Sequence, residues 1–187
     1  MRNLKKFLAL VMAMVMSFSL MLTVNAANPV KTFDDADQIT EAFVEAADVL
    51  TGMKVFQGDE RGFAPAATIT RAEVAALIYR LATGDVDNVR AGLYANYGNF
   101  ADVNESDWFA GYVGYCANAG YIKGTTPTTF NPYGQVTGYE VLAMILRAIG
   151  YDKNNEFVGA TWQTNVSALA TQLGILENIK TTHYGDT

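Results

Sequence analysis

Apolar positions recur at helical spacing in five stretches of the chain. Ile39, Phe43, Ala46, Ala47 and Leu50 follow i, i+4, i+7, i+8, i+11, one face of a helix. Trp108, Tyr112, Tyr115, Cys116 and Ala119 repeat that spacing, and so do Trp162, Val166, Leu169, Ala170 and Leu173. A second pattern, i, i+3, i+4, i+7, runs through Val74, Leu77, Ile78 and Leu81 and again through Val141, Met144, Ile145 and Ala148. Each stretch predicts an amphipathic helix, with Trp108 and Trp162 opening two of them on the apolar face.

The landmarks between these stretches are also repeated. Phe33-Asp34-Asp35 recurs as Phe100-Ala101-Asp102, Phe63-Ala64-Pro65 as Phe130-Asn131-Pro132, and Ile69-Thr70-Arg71-Ala72-Glu73 as Val136-Thr137-Gly138-Tyr139-Glu140, all 67 positions apart. One offset kept across separated landmarks identifies a duplicated unit. The unit reads as helix, glycine-containing loop, short extended Phe-x-Pro turn, helix. It is complete at 33–81 and 100–150 and partial at 157–176, with 82–99 as a connector holding at most one short helical turn. The expectation is an all-α chain of tandem helix-loop-helix repeats, two complete and a truncated third. A third motif helix is missing, so the chain is expected to be a fragment of a longer protein.

Thr70-x-x-Glu73 and Thr137-x-x-Glu140 are capping boxes, in which threonine accepts from the third amide and glutamate reaches back to the cap amide. Capping does not explain Arg71. A cation in the first turn faces the positive end of the helix dipole, unfavourable by roughly 0.3–1 kcal/mol. Its placement against local preference makes it a functional candidate, the alternative being a solvated arginine paired with a nearby carboxylate. Asp35 and Asp102 either cap the helix that follows or contact a ligand. Phe63, Phe130, Pro65 and Pro132 read as scaffold, with the aromatics entering the core and the prolines fixing the chain. Trp108 and Trp162 read as core residues, although an indole at a helix start is also a platform for a sugar face.

The first 26 residues carry Arg2, Lys5 and Lys6, then an apolar run from Phe7 to Val24, then Val24-Asn25-Ala26, the pattern of a cleaved secretory signal. The run also approaches the length of a membrane anchor, but the processing site stands where a spanning helix would need its basic stop. Removing residues 1–26 takes away three of the 13 basic residues and none of the 19 acidic ones, moving the net charge from −6 to −9. That balance argues against nucleic acid as a partner. The single cysteine, Cys116, excludes an intramolecular disulfide and a cysteine-based zinc cluster, and the single histidine, His183, removes most triad and metal chemistry. Cys116 lies on the apolar face and reads as a small buried hydrophobe. The acidic residues show no distinctive paired arrangement, so no catalytic role, metal or cofactor is expected.

Phe-x-Asp, a helix opening on tryptophan, Phe-x-Pro and Ile-Thr-Arg-Ala-Glu together resemble the S-layer homology (SLH) domain. The resemblance implies repeats in a pseudo-threefold helical bundle that anchors exported proteins non-covalently to cell-wall glycans, typically pyruvylated secondary polymers joined to peptidoglycan. It implies a secreted, surface-located, non-enzymatic protein. The alternatives are a tether for a larger enzyme such as a glycan hydrolase, or a self-associating lattice subunit. In such a site Arg71 would fork a ketal carboxylate, Gly58 and Gly124 would let backbone approach the ligand, Trp108 would cover a sugar, and Asp35 and Asp102 would contact it. Gly138 departs from the motif, standing where the family carries arginine, and leaves that site degenerate or reading its ligand through backbone amides.

Overall fold

The computed structural model describes residues 33–176; the secretory signal read at 1–26 and the chain after 176 lie outside them. Among the described residues all regular structure is helical: α1 (Glu41–Gly52), α2 (Arg71–Thr83), α3 (Ala110–Asn118), α4 (Gly138–Ala148) and α5 (Trp162–Gln172), with 3-10 turns at Ala36–Gln38 and Ala91–Tyr94. None of these helices is long and apolar enough to cross a membrane. Two compact units divide the chain after Pro65.

In the first unit, Ile39 and Ala47 are buried with Phe33, Val44 and Phe63 packed around them. The stripe expected on α1 is only half used, because Phe43 stands 48% exposed and Ala46 is exposed as well. The loop after α1 returns to its start. Asp35 accepts hydrogen bonds from the Phe63 and Ala64 amides at 2.9 and 2.6 Å. Those amides, Phe63 foremost, hold its carboxyl below the usual aspartate range. Asp35 therefore does not cap a helix with its side chain; it fastens the Phe-x-Pro turn to the beginning of the repeat.

That turn is not extended throughout. Ala64 has φ +52°, and Asn131 at the matching place has φ +58°. Asparagine enters the left-handed region readily, whereas alanine is strained there by roughly 1–2 kcal/mol. Ala64→Gly should therefore stabilise the first unit by about 0.5–1 kcal/mol, seen as slower hydrogen exchange of the Phe63 and Ala64 amides. Unchanged or faster exchange would remove the strain argument.

The second unit is built from pairs that straddle the sequence repeats. α2 packs on α3, α4 packs on α5, and α2 meets α4. The motif helix of one repeat thus pairs with the first helix of the next. The larger core joins Ala72, Ala75, Tyr79, Phe109, Val113, Cys116 and Phe130, all at or below 1% exposure, with Ile122, Val136 and Met144. A second cluster sets Leu142, Ala143 and Leu146 of α4 against Phe157, Val166 and Ala170. Of the stripe read on α4 only Met144 is buried; Val141, Ile145 and Ala148 are half-buried, and the other buried positions are Leu142, Ala143 and Leu146. The connector packs as well: Ala91–Tyr94 crosses α3 so closely that a Cβ on Gly111 would lie 2.1 Å from the Ala91 carbonyl oxygen, and one on Gly114 1.9 Å from that of Tyr94. Those two glycines, three apart on one helix face, are what allow the crossing.

Candidate functional site

The entry to α2 is where the two copies meet within the second unit. Both capping boxes form as the sequence dictates, with Thr70 accepting from Glu73 and Thr137 from Glu140 while each glutamate returns to the cap amide. The Arg71 and Ala72 amides, which no intrahelical carbonyl can take, donate to the Gly134 and Pro132 carbonyls at 2.9 Å each, and the Val136 amide donates to the Ile69 carbonyl at 3.2 Å. The start of the first motif helix is thereby stitched to the turn preceding the second.

Arg71 follows its backbone inward and is only 4% exposed. Its Nε donates to the Phe130 carbonyl at 2.7 Å, Nη2 to the Lys123 carbonyl at 2.8 Å, and Nη1 to Glu140 Oε1 at 3.0 Å. The guanidinium carbon lies 4.8 Å from the centre of the Phe130 ring, a cation–π contact. Burial lowers the guanidinium pKa and Glu140 opposes that shift. The carboxylate pairing read as the alternative is present, with Glu140, but the arginine is buried and not solvated, and its three donor nitrogens are engaged inside the protein. Arg71 is a clamp from the first copy onto the second, and its carboxylate partner is the glutamate that caps α4.

The remaining candidates are distributed as follows. Asp102 repeats the role of Asp35, accepting from the Phe130 and Asn131 amides at 2.8 and 2.7 Å. Gly58 and Gly124 do allow close approach, but of the protein's own atoms. A Cβ on Gly58 would meet the Phe33 ring at 2.4 Å, and one on Gly124 the Thr126 and Thr129 carbonyls and the Phe100 ring. Gly138 opens α4 and is half-buried. Trp108 precedes α3, which begins at Ala110, and stands 55% exposed, while the neighbouring Phe109 is fully buried. The core reading of Trp108 is thus corrected, because the helix begins two residues too late for the stripe to include it. Trp162 does open its helix and is half-buried, its ring edge-on to Tyr139 at 6.2 Å.

Two groups were missed by motif reading. Tyr133, 68% exposed, packs edge-on against Phe109 at 5.3 Å, as Trp108 does at 5.4 Å. Asp85 and Asp152, with Asn88 and Asn155 three residues on, extend the 67-residue offset into the connector. Asp85 takes the Tyr79 hydroxyl at 2.5 Å and the Val89 and Arg90 amides. These bonds, led by that from Tyr79, hold its carboxyl low. Asp152, its side chain 1% exposed, takes Arg147 at 2.6 Å, Lys123 at 3.2 Å and the Phe157 amide at 2.7 Å. Cys116 is buried with its thiol directed to the Ala75 carbonyl at 3.4 Å, and burial pushes its pKa up to about 12, so it carries no thiolate chemistry.

Comparison with known proteins agrees with this repeated architecture. The S-layer homology domain family matches residues 32–75 and 99–141. A middle cell wall protein from Brevibacillus brevis is 36% identical over 114 residues, which is 61% of this chain and 10% of that protein. A surface layer protein from Brevibacillus choshinensis is 30% identical over 175 residues, 94% of this chain and 15% of the relative. An amylopullulanase from Thermoanaerobacterium thermosulfurigenes is 31% identical over 160 residues, 78% of this chain and 8% of the enzyme. The chain thus spans between 8% and 15% of the length of these relatives. No solved structure matches it.

Proposed function

Since this chain belongs to the S-layer homology family and is a secreted protein of the cell surface, we propose that it anchors the protein carrying it to the wall by non-covalent binding of wall polysaccharide. The family match and the wall and surface-layer relatives support surface anchoring without catalysis. The observation that carries polysaccharide binding is Trp108: an indole 55% exposed and in edge-on contact with Phe109 and Tyr112. Such a surface suits the apolar face of a pyranose.

The pyruvyl group implied by the resemblance has less support, because the donors of Arg71 are engaged internally. Recognition then rests on sugar faces more than on a charged substituent. An amylopullulanase among the relatives favours a second reading, in which the same segment tethers a carbohydrate-active enzyme; the full sequence of the mature protein decides between the two.

Sedimentation with purified walls, before and after the secondary polymer is stripped, tests the proposal. Binding is expected only to unstripped walls, and equal binding to both would remove it. Trp108→Ala should weaken binding about tenfold, or ~1.4 kcal/mol, with little change in helicity.

A further inference from the structure

Tyr112 sets α3 apart from the helices that match it. At the 69-residue offset of these helices it corresponds to Phe43 of α1, and four residues past the leading tryptophan it corresponds to Val166 of α5, which is fully buried. Neither counterpart has a polar group, so the hydroxyl is not what this position needs for packing. The ring of Tyr112 is firmly held. Its centre lies 5.3 Å from that of Tyr79 and 6.2 Å from that of Trp108, and the Arg80 guanidinium carbon stands 5.7 Å away. Only 7% of the residue is exposed. A tyrosine buried to this degree ordinarily has a partner for its hydroxyl. Among the described residues the Tyr112 hydroxyl has none, yet the one buried side-chain polar atom without a partner there is Thr51 Oγ1. The phenol oxygen is therefore open at the surface, at the tip of an otherwise enclosed ring. Nearby charges have partners inside the protein: Asp107 accepts from the Asn104 amide at 2.7 Å, and Arg80 Nε donates to Asn88 Oδ1 at 3.1 Å.

From this we infer that the Tyr112 hydroxyl is a specificity-determining contact, the polar anchor that hydrogen-bonds a hydroxyl oxygen of the glycan segment laid on Trp108. The inference rests on the polysaccharide-binding proposal and adds to it the residue that reads the rim of the sugar. A pyranose offers an apolar face, which suits the indole, and a rim of hydroxyls, which needs a partner that both donates and accepts, as a phenol does. The two rings are in contact and the phenol is rigid, so its hydroxyl lies within the length of a disaccharide covering the indole. An oxygen already fixed in place loses little freedom when it bonds a ligand.

Tyr112→Phe tests this, because it removes one oxygen and leaves the ring against Tyr79, Trp108 and Arg80. Parent and variant should be titrated with polymer purified from walls, and both unfolded in denaturant without polymer. The affinity of the variant is expected to fall about tenfold, the contribution of one hydrogen bond, while its unfolding midpoint is no lower than the parent's. Parental affinity would overturn the anchor, even where Trp108→Ala is impaired. A lowered midpoint would overturn it too, since the hydroxyl would then serve the fold. Failure of the parent to distinguish stripped from unstripped walls would instead strike the underlying proposal.

Discussion

Replacing Arg71 by alanine is expected to cost about 3–5 kcal/mol of folding stability, the range for breaking a buried ion pair by removing one partner. Set against a total of roughly 5–15 kcal/mol for a domain of this kind, the loss is large. Three acceptors would be deprived at once: the Phe130 and Lys123 carbonyls and Glu140 Oε1. Glu140 also holds the Thr137 amide at 2.9 Å through its other oxygen, so the damage reaches the cap of α4. Arg71→Lys should recover only part of the loss, because an ammonium lacks the planar fork that serves three directions. Denaturant unfolding followed by tryptophan fluorescence reads the effect directly, since Trp108 and Trp162 both lie in the second unit. A variant that unfolds at the parental midpoint yet fails to bind walls would return Arg71 to the role of ligand fork.

The contrast between Arg71 and the capping boxes shows what the sequence made legible. Thr70 and Glu73 are three residues apart, and their hydrogen bonds follow from local geometry alone. The partners of Arg71 lie 52, 59 and 69 residues away, and no periodicity points to them. What could be read was that the arginine stood against local preference; what opposed that preference was the neighbouring copy. Asp35 and Asp102 present the same difficulty, reaching amides 28 and 29 residues on. Trp108 was misread for another reason. Helical spacing was extended two residues before the true start of α3 at Ala110, and the buried aromatic is its neighbour Phe109.

Pairing across the repeat boundary also accounts for the uneven success of the stripes. Tyr112 and Cys116 on α3, and Val166 and Ala170 on α5, are buried because a preceding motif helix lies against each. α1 follows no motif helix within the described residues, and Phe43 on its expected face stays open. The duplicated sequence unit and the duplicated packing unit are therefore out of phase by one helix. An arginine reaching from one copy into the turn of the next belongs to that arrangement, since it ties together segments that sequence order alone would leave merely adjacent.

The same logic predicts a second sensitive joint at Asp152, whose carboxylate holds Arg147, Lys123 and the Phe157 amide where α4 gives way to the approach to α5. Burial by itself would raise its pKa, but the Phe157 amide and the two cations outweigh burial, and the net shift is downward. A depressed carboxyl contributes stability that is fully present above its unfolded value, about 3.9, and is lost as pH falls through the lower folded value. Asp152→Asn should therefore cost about 3 kcal/mol near neutrality, because Arg147 stays buried without its counter-charge. The deficit should begin to narrow as the pH drops below about 4 and close as it falls through the lower folded value, where the parent carboxylate is itself protonated. Unfolding curves for parent and variant between pH 7 and pH 2.5 would show this convergence. Parallel curves, offset by the same amount throughout, would mean that the ionised form of Asp152 is not what holds the joint.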